Sequence, residues 1–220
     1  MSKACSMELL PHGYTNHTTH HAGVVTKTYK GRDARRRMER EAAALCGLET
    51  LGVLLPVPQL IGCTGESLSM TFLDGVHGQD LIEAGWAQDV LAACGAVLRA
   101  VHSVDASEVF PRARGGSVIV HGDFGPNNLL LTDDASRVTA LLDWEWSHAG
   151  DPLEDLAWCE WIVRTHHPEH LPALDGFFDA YGHRPDWRLR HRAMTDRCRE
   201  LVDFQPHRVG LLIATEGWTE

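Results

Sequence analysis

Apolar and polar residues alternate along much of the first third of the chain; further on, apolar residues recur every three or four positions. The stretch Gly23-Val24-Val25-Thr26-Lys27-Thr28-Tyr29 is β-branched and alternating, which predicts a strand with Val25, Lys27 and Tyr29 on one face. Leu9 to Gly13 can start an earlier strand that enters a turn at His12-Gly13-Tyr14-Thr15-Asn16. Asp33 suits the N-cap of a helix running to about Gly47, with Met38, Ala42 and Leu45 on its buried stripe. Pro56-Val57-Pro58 marks a loop, Ser67 to Leu73 a further strand, and Asp74-Gly75 a break.

From about residue 78 the pattern becomes mostly helical. Trp86 to His102 carries Val90, Leu91, Cys94, Val97, Leu98 and Val101 at the spacing of an amphipathic helix. Val118-Ile119-Val120 and Thr139-Ala140-Leu141-Leu142 read as short strands that run straight into charged residues, and helices are expected to dominate from Leu153 onward. The predicted class is α+β and bilobal. Residues 1–75 form a small β-rich N-lobe with a connector at 71–75, and residues 76–220 form a larger, mostly helical C-lobe. A cleft between two such lobes is where a nucleotide is expected.

Composition adds exclusions. The 220 residues are 44% hydrophobic and 23% charged, an ordinary globular balance. No run of 18 or more apolar residues occurs, so no membrane-spanning helix is expected. The N-terminal segment lacks an apolar signal core, and the six cysteines are scattered without a CxxC pair. Both features favour free, mostly buried thiols and a cytoplasmic location. A formal charge of −10 argues against nucleic acid as a partner and is compatible with a cationic substrate. The 14 histidines form adjacent pairs such as His20-His21 and His166-His167 rather than a spaced ligand set, which disfavours zinc.

The chemistry concentrates in His121-Gly122-Asp123-Phe124-Gly125-Pro126-Asn127-Asn128, followed by Asp143-Trp144-Glu145. An Asp followed five residues later by an Asn, in a loop closed by Pro and Gly, can turn both side chains toward one point. A second Asp at the end of the next strand adds a hard oxygen ligand, a set suited to Mg²⁺ and phosphoryl transfer. These segments resemble the aminoglycoside phosphotransferase and choline kinase-like families, which share the protein-kinase fold. His121, Asp123 and Asn128 match the H-x-D-x-x-x-x-N loop. Asp143 matches the metal-binding Asp, opening Asp-Trp-Glu in place of the protein-kinase Asp-Phe-Gly. Gly150-Asp151-Pro152-Leu153-Glu154-Asp155-Leu156-Ala157 is similar to the family's GDPxxDLA segment.

The resemblance implies a kinase with ATP and Mg²⁺ as cofactors. Asp123 would be the catalytic base, Asn128 and Asp143 would hold the metal, and His121 would organise the loop. Asn127 reads as a turn residue. Glu145 is open between the metal and a local backbone cap, and Asp151 and Asp155 between ligand contact and helix capping. The phosphate lysine falls on Lys27, mid-strand beside apolar neighbours, rather than on Lys30 at the strand end. Its partner falls on Glu41, three residues after Met38, rather than on Glu39. Gly13, Thr15 and Asn16 lie where the family places a loop over the phosphates. Thr71 and Leu73 would offer adenine their backbone groups, with Met70 gating the pocket.

The acceptor is the open part. Only about 60 residues follow Asp155, and Trp158, Trp161, Phe177, Phe178, Tyr181 and Trp187 read as core rather than as a ligand cage. The only acidic group in reach is Asp151, Glu154, Asp155 and Glu160, while Arg188 to Arg192 is basic. The reading is therefore transfer of the γ-phosphate to a hydroxyl of a small molecule, an antibiotic or metabolite. Ser or Thr of a natural-product precursor peptide is the alternative acceptor, and an inactive nucleotide-binding regulator is the reading of another class.

Overall fold

In a computed structural model, which describes residues 8–9, 16–31, 33–51 and 55–220, the alternating stretch of the first third becomes the middle of an antiparallel sheet. Its strands are β1 (Glu8–Leu9), β2 (His17–His21), β3 (Val24–Thr28), β4 (Leu60–Thr64) and β5 (Ser67–Thr71), in the order β1-β2-β3-β5-β4. β2 and β3 join through Ala22 and Gly23, both at positive φ, the two-residue turn that matches strand twist. Val25, Lys27 and Tyr29 all point into the interior, as the period of two requires. Residues 10–15 lie outside the described part, so of the strand expected from Leu9 to Gly13 only Leu9, in β1, can be placed.

The helix after Asp33, α1 (Ala34–Thr50), runs past Gly47 to Thr50. Gly47 lies inside the helix, and Val109 packs against the space a side chain would need there. Asp33 occupies the N-cap position, but its side chain makes no cap hydrogen bond. Met38 and Leu45 are buried and Ala42 is half-buried.

Beyond the connector, β6 (Val76–His77) pairs with β8 (Leu129–Leu131), which pairs with β9 (Val138–Leu141). The strand β8, continuous with the Asn127-Asn128 turn, was not among the predicted elements: its three leucines are buried on both faces and so show no alternation. The short helix α2 (Gly78–Leu81) passes through a π-type turn at Ile82–Trp86 into α3 (Ala87–His102). The segment Gly78–His102 is long and apolar enough, by length and composition, to cross a membrane. Here it is the central helix of the C-lobe, and Val90, Leu91, Cys94, Leu98 and Val101 are all sealed in the core.

β7 (Val118–Val120) pairs with β10 (His148–Gly150), after which α4 (Leu153–His166), α5 (Leu174–Tyr181), α6 (Trp187–Phe204) and α7 (Val209–Glu216) complete the larger lobe. The α+β class and the division into a β-rich N-terminal and a helical C-terminal region are thus observed. Cys94, Cys159 and Cys198 are buried free thiols, whereas Cys46 and Cys63 are exposed.

α3 and α5 touch backbone to backbone. A Cβ on Gly95 would run into the carbonyl of Phe177 and the amide of Tyr181. Neither can yield by a rotamer change, so Gly95→Ala should destabilise the protein by about 2 kcal/mol. The check is urea unfolding, in which the midpoint falls with an unchanged slope.

Candidate active site

The buried face of β3 delivers Lys27 into a cluster of three carboxylates, Glu41 from α1 and Asp143 and Glu145 from the segment after β9. Lys27 Nζ donates to Glu41 Oε2 at 2.8 Å and to Asp143 Oδ1 at 2.6 Å, and lies 3.3 Å from Glu145 Oε2. Burial alone would lower the ammonium's pKa, but Asp143, Glu41 and Glu145 together outweigh it and hold Lys27 well above its usual range. Glu41 is bound further by Tyr29 Oη and by the backbone N–H of Trp144 at 3.3 Å. Lys30, the alternative lysine, is exposed, and Glu39 pairs with Arg35 on the surface.

Glu145, left open in the sequence, is 1% exposed and belongs to this cluster. It accepts from Asn16 Nδ2 at 2.7 Å and from Arg37 Nη1 at 3.1 Å. Arg37 also donates to Asn16 Oδ1 at 3.3 Å and to the Lys30 carbonyl. Asn16 is therefore built into the floor of the cleft by its side chain. Gly13 and Thr15, assigned with it to the phosphate loop, lie outside the described residues. Arg37 carries no sequence signal because it stands in the run Arg35-Arg36-Arg37, whose members usually reach solvent on a helix; only the fold turns it inward.

Asp143, two residues beyond β9, has φ 66° and ψ 60°, the left-handed region that a non-glycine residue seldom occupies. That conformation aims its carboxylate back across the cleft. Burial would push its pKa up, but Lys27 more than offsets this and holds it below the usual value. Glu41, Asp143 and Glu145 each offer an oxygen within 4.8 Å of the others. Glu41 and Glu145 are already occupied by donors, whereas Lys27 is the one hydrogen-bond partner of Asp143 among the described residues.

Asp123 sits in the loop between β7 and β8. Its Oδ1 accepts from Trp158 Nε1 at 2.8 Å and its Oδ2 from Asn128 Nδ2 at 3.2 Å. The Asn128 amide also donates to the Asp123 carbonyl at 2.7 Å, which leaves its own carbonyl oxygen unengaged by described groups. Burial, then the charge of Asp143, raises the Asp123 pKa to about 6. His121 holds the loop rather than a ligand. Its Nε2–H donates to the Leu142 carbonyl at 2.9 Å, and its Nδ1 accepts from the Asp123 amide at 3.3 Å. Gly122 adopts φ 82°, and a Cβ there would strike the Trp146 backbone.

Asp155 has a role that neither open alternative covered. Fully buried, it accepts from the amides of His121 at 2.7 Å and Gly122 at 2.9 Å, and faces His102 Nε2 at 3.2 Å. It clamps the backbone of the loop that carries Asp123. Asp151 does cap α4, accepting from Leu153 N at 2.8 Å. Trp158, read as core, is instead half-buried and bonded to Asp123. Its position three residues after Asp155 on α4 puts both on one helix face, a signal the sequence did contain. At the connector, the Thr71 amide is occupied by the Gln59 carbonyl at 3.0 Å. The one backbone donor of Thr71 is thus unavailable to a base, and Leu73 is half-buried beside it.

The chain belongs to the phosphotransferase enzyme family, whose model matches residues 6–117 and 110–193. Among solved structures it is similar to APH(2")-IIa in complex with gentamicin, with a TM-score of 0.71 over 96% of this chain and 89% of that one at 15% identity. The same enzyme with streptomycin and ATP superposes at 0.66, over 95% and 90% at 15% identity. The macrolide 2'-phosphotransferase MphH from Brachybacterium faecium superposes at 0.62, over 98% and 93% at 18% identity. In sequence the chain is 40% identical over 63 residues to acyl-CoA dehydrogenase family member 10 of Mus musculus, and 32% identical over 99 residues to member 11. These matches take in 29% and 36% of this chain but only 6% and 13% of those relatives' lengths.

Proposed function

We propose that the chain transfers the γ-phosphoryl group of Mg²⁺-bound ATP to a hydroxyl of a small molecule. The observation that carries this is Lys27, held in the cleft by Glu41 from one lobe and Asp143 from the other, with Asp123 on the adjoining loop. The donor set fits a divalent cation: Asp143 and the Asn128 carbonyl are hard oxygens without competing donors other than Lys27. Asp143 and Asn128 would hold Mg²⁺, which when bound neutralises phosphate charge. Lys27 would contact the phosphates, and Asp123 would orient the acceptor hydroxyl and take its proton. The solved complex of APH(2")-IIa with ATP and streptomycin supports a nucleotide and a small acceptor meeting in this fold.

The test is calorimetry with ATP in the presence and absence of Mg²⁺. Asp143→Ala should lose the Mg²⁺-dependent part of the affinity, by roughly 100-fold or more, since even outer-sphere partners of metals are worth 10- to 100-fold. Unchanged Mg²⁺ dependence would remove Asp143 from the metal site.

A further inference from the structure

One side of Asp123 is walled by two residues of the C-terminal helices. Trp158 of α4 donates to Asp123 Oδ1 at 2.8 Å. Over the face of that indole, 5.5 Å from its centroid, lies the guanidinium of Arg197 of α6. Arg197 Nη2 reaches the carbonyl of Gly122, next to Asp123, at 3.3 Å. Its remaining partner is Glu200 at 2.9 Å, an ion pair in which the two side chains are 40% and 68% exposed. Such a surface pair is weak and is easily exchanged for a better anion. Arg197 thus presents a cation, stiffened by the indole and the backbone, beside the group proposed to activate the acceptor.

The carboxylates of the group that would draw a polycation are otherwise engaged. Asp155 is buried under the loop, and Glu160 is buried between Arg164 at 2.9 Å and Arg190 at 2.7 Å. Glu154 pairs with His148 at 2.9 Å, which leaves Asp151, exposed at the start of α4. Arg190, from the basic stretch 188–192, is itself consumed in the core and adds no surface charge. The acidic net balance of the chain therefore says little about the acceptor: beside Asp123 the local character is aromatic and cationic.

We propose that Arg197 is a specificity-determining residue and that the acceptor is an anionic hydroxyl compound, whose carboxylate or phosphate Arg197 binds while its hydroxyl meets Asp123. This rests on the phosphotransfer reading above. The hydroxyl oxygen forms a bond to the γ-phosphorus, the bond from that phosphorus to the β,γ-bridging oxygen breaks, ADP leaves, and the hydroxyl proton passes to the Asp123 carboxylate. Arg197 acts on binding, not on these bonds.

The experiment compares glycerate, sn-glycerol 3-phosphate, glycerol and serinol, and the same head groups on a longer alkyl alcohol. ADP release reads turnover. Ligand NMR with Mg²⁺ and a non-hydrolysable ATP analogue reads binding independently of it. The anionic members should be preferred, and glycerate against glycerol phosphate distinguishes carboxylate from phosphate. Arg197→Ala should raise KM for the anions by roughly 10- to 100-fold, the worth of a charge-assisted hydrogen bond, with kcat changed far less. Arg197→Lys should recover part of the loss. Preference for serinol, an Arg197→Ala variant with unchanged KM for the anions, or no binding of any anion would overturn the proposal. Arg197-dependent binding of the anions without turnover of any compound would instead uphold anion recognition and sink the phosphotransfer reading.

Discussion

Asp123→Asn should reduce phosphotransfer by about 10²- to 10⁴-fold, the usual contribution of a positioned general base, while leaving Mg²⁺-dependent ATP binding within a few-fold of wild type. The substitution keeps the side-chain shape, but its single oxygen can accept from Trp158 Nε1 or from Asn128 Nδ2 and not from both, so the proton acceptor and one of these two hydrogen bonds are lost. Single-turnover ADP formation and calorimetry on one preparation separate the two effects; equal turnover in variant and wild type would remove Asp123 from the mechanism. The raised pKa adds a second signature. Burial and the neighbouring Asp143 hold Asp123 partly protonated up to about pH 6, so the wild-type rate should climb with pH through that value as the base ionises. Mg²⁺ on Asp143 screens the second of these causes, and raising free Mg²⁺ should shift the limb to lower pH.

Lys27→Met should be among the most damaging single substitutions for stability. It would leave Glu41 and Glu145, each 1% exposed, and Asp143 facing one another with Arg37 as the remaining cation in contact with the cluster. Removing one partner from a buried ion cluster costs about 3–5 kcal/mol, because the uncompensated charges stay out of water. The pH dependence follows in sign. With Lys27 gone, nothing from it offsets the burial that pushes Asp143 and Glu145 above their unfolded values, so the destabilisation is greatest at neutral pH and fades as pH falls through the raised values. Urea unfolding at several pH values tests this, and added Mg²⁺ should restore part of the loss. A midpoint shift independent of pH would show that the methionine disturbs packing instead.

The legible parts of the molecule are those in which a local pattern has one physical reading. The alternation of Val25, Lys27 and Tyr29 can only place all three on one face of a strand, and that face is the buried one. The order of Asp123, Asn128 and Asp143 places hard oxygens at the ends of short apolar strands. Less was legible where neighbours come from afar. β8 has no alternation to betray it, Arg37 and Arg190 are typical surface residues by type, and Asp155 looks like any acid in a first helical turn.

By its residue order alone, then, this chain determines a two-region α+β fold and a lysine, an asparagine and carboxylates of the types phosphoryl transfer needs, because strand period and loop spacing are local properties. Only the tertiary structure decided what surrounds those groups. It turned Asp155 under the loop that carries Asp123, put Asn16 and Arg37 on Glu145, and laid Trp158 and Arg197 beside Asp123. Each of these contacts joins residues between 33 and 129 positions apart, and their energies depend on burial that exists only once the lobes have closed on each other.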